Sequence, residues 1–184
     1  MKKIIPSLLT ILNLICGCFA IALAFQFQFE AVLVLVCLGN FFDFLDGLVA
    51  RALDSVTNFG KHLDSITDVV TSGVVPGVVV YQLFKLSGNK VSDFEFLIFE
   101  YDLIFSLSPI SFIAFFITIG SAIRLSKFNT SIGNDEFIGL PTPANAIFFS
   151  ALPVFINSEL IVESKEIFLN NYFLIISIFF SVFL

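Results

Sequence analysis

Apolar residues run along this chain in blocks too long and too uniform for a half-buried strand or the single stripe of a soluble helix. They extend from about Ile5 to Phe25, Ala31 to Leu53, from beyond Asn58 to Leu86 and Leu103 to Phe128, then through a fifth run to about Ile156. Roughly 18 such residues cross a hydrocarbon core of about 30 Å. Within lipid a single segment satisfies its own backbone only as a helix. Polar breaks fall at Gln26–Glu30, Asp54–Asn58 and Ser87–Asp102, and in GNDEFIGLPTPAN, where Pro141 and Pro143 fix the backbone at a helix start. A sixth run, Tyr172 to Leu184, has thirteen residues. As a helix it covers only about 20 Å, so it is expected to be a helix cut short. The pattern predicts an all-α fold: a polytopic transmembrane bundle of about six helices, the last one truncated. A single domain over residues 1–184 is expected, with its C-terminal end incomplete.

Composition agrees. Of 184 residues, 58% are hydrophobic and 13% charged, with a mean hydropathy of +1.01, well beyond an ordinary soluble domain. Lys2 and Lys3 precede an apolar run, but Pro6, Asn13 and the length of that run suit a first membrane helix better than a cleaved signal. No basic run invites nucleic acid. Cys16, Cys18 and Cys37 sit inside apolar helical runs and read as packing residues. A lone His62 without cysteine partners argues against zinc.

Charge placement changes the picture more than its sum of −6 does. Asp93, Glu95, Glu100 and Asp102 fall in one connecting stretch and Glu159, Glu163 and Glu166 in another, the usual place for solvated acids. Five of the fifteen acids instead lie between Asp43 and Asp68, within apolar sequence. With the N-terminus in the cytoplasm, Lys2, Lys3, Arg51, Lys61, Arg124 and Lys127 fall inside, and Lys85, Lys90 and Lys165 outside. That distribution is the expected orientation and turns the acidic stretch to the cytoplasm.

The stretch reads DFLDGLVARALDSVTNFGKHLDSITD. Asp43 and Asp46 are three apart and Asp64 and Asp68 four apart, so each pair shares a helix face. A turn over Asp54–Asn58, with Thr57 or Asn58 as the following N-cap, brings the pairs together. Four converging carboxylates repel and are costly to desolvate unless a cation balances them. Oxygen-only ligands select a hard divalent ion such as Mg²⁺. Gly47, one turn from Asp43, leaves the backbone open to close approach, and Arg51 offers a fixed charge for a phosphate. Carboxylates, metal and arginine together describe a polyphosphate site, in which a spare carboxylate can take a proton from an attacking hydroxyl. Gly60, Gly73, Pro76 and Gly77 predict close packing and a bend in the third helix. Thr10 and Asn13 share a face of the first helix, either to hydrogen-bond across helices or to reach the site.

Written with its spacing, D-x2-D-G-x2-A-R-x8-G-x3-D-x3-D, the stretch uses Asp43, Asp46, Gly47, Ala50, Arg51, Gly60, Asp64 and Asp68. It resembles the signature of the CDP-alcohol phosphatidyltransferase family at every position. The resemblance implies a transferase that moves a phosphatidyl group from CDP-diacylglycerol to an alcohol and releases CMP. It implies that Asp43, Asp46, Asp64 and Asp68 hold divalent metal, Mg²⁺ or Mn²⁺ and two ions, with Asp68 also the general base. Gly47, Arg51, Thr57 and Gly60 then contact the CDP moiety, as does Asn13. It further implies a homodimer in the bacterial cytoplasmic membrane.

Three further stretches are similar to the serine-using branch: Pro6–Gly17, Gly60–Pro76, and Ser121–Asn129 with Gly139–Ala146. Ser7 departs from that branch, which often has Asn there. L-serine is accordingly the expected acceptor, with Arg124 the candidate for its carboxylate. Glycerol 3-phosphate or inositol as acceptor, and a carboxylate-lined cation transporter, are the competing readings. The transporter leaves Gly47 and Arg51 at their fixed offsets without a purpose.

Overall fold

A computed structural model describes residues 4–87, 92–98, 101–107, 109–130, 141–157 and 169–183. Among the described residues, helix α1 (Ile4–Phe25) and helix α2 (Phe29–Ala52) make the most extensive helix–helix contact. A third rod follows, built from α3 (Asn58–Asp68), one stretch of π-helix (Val69–Val74) and α4 (Val75–Leu86). After an antiparallel hairpin of β1 (Ser92–Ile98) and β2 (Tyr101–Leu107), a 3₁₀ segment (Pro109–Phe115) winds into α5 (Phe116–Thr130). Helices α6 (Thr142–Asn157) and α7 (Asn171–Phe183) complete the described residues. Four spans among these are long and apolar enough to cross a membrane: Ile4–Phe25, Phe29–Ala52, Asn58–Leu86 and Ile110–Lys127. Helices α6 and α7 are shorter, at 16 and 13 residues. The protein is therefore an all-α polytopic membrane bundle with one small hairpin attached.

The bundle is arranged as lipid demands, with bulk outside and small or polar residues inside. On α1, Leu8, Ile11, Ile15 and Phe19 are exposed, whereas Thr10, Asn13, Gly17, Ala20 and Ala24 are buried. Large apolar side chains lose nothing by facing acyl chains, and small ones let helices approach closely. Helix α4 is the opposite extreme: every residue from Val75 to Phe84 is buried. An all-round apolar helix belongs at the centre, and α1, α5, α6 and the 3₁₀ segment pack around it.

The bend predicted in the third helix is the π-helical stretch. There the N–H of Val75 reaches back five residues to the carbonyl of Val70, the π spacing. Pro76 has no N–H to return to the preceding turn. The carbonyls of Ser72 and Gly73 accept instead from the hydroxyls of Ser121 and Thr118 on α5, at 3.4 and 3.0 Å. Helix α5 comes this near because Gly73 and Gly77 carry no side chain. A Cβ on Gly77 would lie 2.7 Å from the Thr118 hydroxyl.

Two expectations need correction. The stretch read as the polar connection Ser87–Asp102, followed by a helix from Leu103, is instead largely the hairpin, and the helical segment starts at Pro109. The segment Asp93–Phe96 alternates acidic and apolar residues with the strand period of two, and the register pairs Phe94 with Phe105 and Phe96 with Leu103. Of the three cysteines only Cys16 is buried; Cys18 and Cys37 are exposed. The expected positions of Lys90, Glu100, Glu159, Glu163, Lys165 and Glu166, and of most of GNDEFIGLPTPAN, lie outside the described residues.

Candidate functional site

The site is built where α2 ends and α3 begins. The N–H of Leu53 still returns to the carbonyl of Val49, Asp54 takes a left-handed φ of 47°, and the N–H of Ser55 closes onto the carbonyl of Ala50 at 2.9 Å. Thr57 then caps α3, its hydroxyl accepting from the Gly60 N–H at 3.0 Å. This tight reversal lets a carboxylate of α2 meet those of α3.

Asp43 of α2 and Asp64 and Asp68 of α3 converge: one carboxylate oxygen from each lies within 4.8 Å of the other two. All three side chains are half-buried, and Oδ1 of Asp64 is buried with no hydrogen-bond partner. Anionic oxygens crowded together, one of them without a donor, suit a hard cation and little else. The donor set therefore fits a divalent metal. Asp46, expected as a fourth member, stands apart from this trio. It is 6% exposed and accepts from the Thr10 hydroxyl of α1.

Asn13 also differs from expectation. It has no exposed surface and does not line an opening for a nucleotide. Its Nδ2 faces Oδ1 of Asp68 at 3.4 Å, and its Oδ1 accepts from the Thr71 hydroxyl of the π-helical stretch at 2.9 Å. One turn before Asp43, the side-chain Oδ1 of Asn40 accepts from the Ser72 hydroxyl at 3.4 Å. Sequence reading did not pick out Thr71, Gly17 or Gly39. A signal was present, since small residues in apolar helices mark close crossings, but which side chain fills such a crossing is not encoded locally.

At the open side, a Cβ on Gly47 would meet only the Arg51 guanidinium, at 3.8 Å. The backbone there is approachable, with Arg51 exposed alongside. Thr57 and Gly60, half-buried, are tied to each other by the cap. Arg124 lies on α5 and donates to the Ser181 carbonyl in the last turn of α7 at 3.0 Å. It is thus engaged at least partly in holding α7.

A membrane-embedded helical bundle with a half-buried carboxylate trio and an arginine at its rim defines a class: an integral membrane protein with a metal site suited to phosphate chemistry. The chain belongs to the CDP-alcohol phosphatidyltransferase family, whose sequence profile it matches over residues 3–183. Among curated proteins it is similar to a CDP-diacylglycerol–serine O-phosphatidyltransferase of Bacillus subtilis, 33% identical over 140 residues, covering 76% of this chain and 69% of the relative. The protein of that name from Methanocaldococcus jannaschii is 36% identical over 157 residues, covering 85% and 64%. An archaetidylserine synthase of Methanothermobacter thermautotrophicus is 31% identical over 150 residues, covering 80% and 56%.

Proposed function

We propose that the protein transfers the phosphatidyl group of CDP-diacylglycerol to L-serine, giving phosphatidylserine and CMP. The observation that carries this reading is the convergence of Asp43, Asp64 and Asp68 beside an approachable Gly47 and Arg51. It is supported by relatives whose names specify serine. Asp43, Asp46, Asp64 and Asp68 hold divalent metal, Mg²⁺ or Mn²⁺ and two ions. Asp46 contributes while its Oδ2 accepts from Thr10, since a carboxylate has lone pairs for more than one partner. When bound, the metal neutralises charge on the pyrophosphate during displacement.

The chain's own groups do the rest. Arg51 pairs with a phosphate of the CDP moiety, which lies against the bare backbone at Gly47 and beside Thr57 and Gly60. Asp68 accepts the proton of the serine hydroxyl as its oxygen bonds to the lipid-bearing phosphorus. The bond from that phosphorus to the CMP oxygen breaks, and CMP leaves. Arg124 meets the serine carboxylate. The site faces the cytoplasm of a bacterial cell, on the side where basic residues predominate. A homodimer rests on the family resemblance.

The test is CMP release by detergent-purified protein from CDP-diacylglycerol with Mg²⁺ or Mn²⁺, comparing serine, glycerol 3-phosphate and inositol. Metal-dependent release with serine alone is expected. Release only with another acceptor would discard serine and keep the chemistry, and none with any acceptor would discard the transferase.

A further inference from the structure

Helix α1 carries none of the motif's acids, yet its two buried polar side chains each meet one of them. The Thr10 hydroxyl lies within hydrogen-bond reach of the Pro6 carbonyl, 3.1 Å away, and donates to Oδ2 of Asp46. Three residues on, Asn13 faces Asp68. The direction of the Asn13 amide is determined by its surroundings. Turned the other way, its carbonyl oxygen would stand against a carboxylate oxygen, two acceptors with no proton between them. With Nδ2 toward Asp68, Oδ1 takes the Thr71 proton at 2.9 Å and both ends are satisfied.

The pair is also held sterically. A Cβ on Gly39 would lie 2.8 Å from Oδ1 of Asn13 and 2.9 Å from Cγ2 of Thr71, and one on Gly17 would lie 2.8 Å from the Thr71 hydroxyl. Two glycines from two helices thus leave the slot in which Asn13 and Thr71 meet.

We infer that Thr10 and Asn13, the latter locked by Thr71 in the slot between Gly17 and Gly39, are positioning residues. They aim the carboxylates of Asp46 and Asp68, and so make α1 part of the catalytic apparatus. The inference rests on the metal-site reading above. Each donor binds one oxygen of its carboxylate and so limits how that side chain can turn. Donors behind metal-binding carboxylates fix ligand orientation, and their loss typically costs about 10–100-fold in metal affinity or activity. The π-helical stretch acquires a role as well, since it presents Thr71 to α1 one turn after Asp68.

The experiment compares near-isosteric variants that lose the hydrogen bond with conservative ones that keep it: Thr71→Val against Thr71→Ser, Thr10→Val against Thr10→Ser, and Asn13→Leu. Detergent-purified protein is assayed for Mn²⁺ affinity by electron paramagnetic resonance without substrate, and for kcat and KM by CMP release. Thr10→Val is expected to weaken Mn²⁺ binding about 10-fold or more. Thr71→Val and Asn13→Leu should lower kcat about 10–100-fold while both KM values stay within about 3-fold. The two serine variants should stay within about 3-fold of wild type. Valine variants equal to wild type would overturn the inference and leave the transferase reading intact, as would equal losses in valine and serine variants, which would indicate packing alone. A wild type that neither binds Mn²⁺ nor releases CMP would overturn the transferase reading and the inference with it. Asn13→Leu that no longer purifies as folded protein leaves the decision to the Thr71 pair, in which valine matches the native threonine in volume and serine keeps its hydroxyl.

Discussion

Asp68 occupies the most constrained position of the trio, facing Asp43, Asp64 and the Asn13 amide at once. Asp68→Asn retains its size and removes its basicity. Turnover should fall about 100- to 10,000-fold, the range for losing a general base, with CDP-diacylglycerol binding largely retained. Turnover near wild type in that variant would remove the base assignment. Arg124 can be assigned in a similar way. Because its guanidinium donates to the Ser181 carbonyl, a purely structural role would lower stability and disturb both substrates equally. A role at the serine carboxylate predicts that Arg124→Ala raises KM for serine about 10-fold or more and spares KM for CDP-diacylglycerol. A steady-state titration of each substrate decides between them.

Among the elements, the third helix and α5 depend most closely on one another. The π-helical stretch leaves two carbonyls for Ser121 and Thr118, and Gly73 and Gly77 let α5 reach them. Gly77→Ala would place its methyl 2.7 Å from the Thr118 hydroxyl, and overpacking of this kind costs about 1–3 kcal/mol. Thermal unfolding in detergent should show a lower Tm for that variant. Combining it with Thr118→Ala makes room, so part of the loss should return. Unchanged Tm in Gly77→Ala would mean that the helices part without cost.

For the molecule as a whole, the consequence is coupling between metal and stability. Crowded carboxylates inside a bundle oppose folding until a cation balances them. A ligand bound by the folded protein alone stabilises it by about 2.7 kcal/mol at one hundred times its Kd. Mn²⁺ should therefore raise Tm in wild type, a chelator should reverse it, and Asp43→Asn or Asp64→Asn should respond much less. Identical responses in wild type and both variants would place the metal elsewhere.

By itself the sequence determined the bundle and the ingredients of its site. Apolar runs of membrane length fix helices, since lipid leaves a single segment no other way to satisfy its backbone. Spacings of three and four residues fix which acids share a helix face, so Asp64 with Asp68, Gly47 with Arg51 and the Thr57 cap were legible residue by residue. The tertiary structure decided what depends on how helices are rotated and how deeply they interlock. It grouped Asp43, Asp64 and Asp68 while tying Asp46 to Thr10, buried Asn13 behind Asp68 rather than opening it to a nucleotide, and engaged Arg124 with α7. Spacing gives an angle about one helix axis and says nothing about the neighbour's angle. That was set by Gly17, Gly39, Gly73 and Gly77, which determine how near the helices come, and by the π-helical stretch at Val69–Val74, where the backbone departs from the regular α-helical repeat.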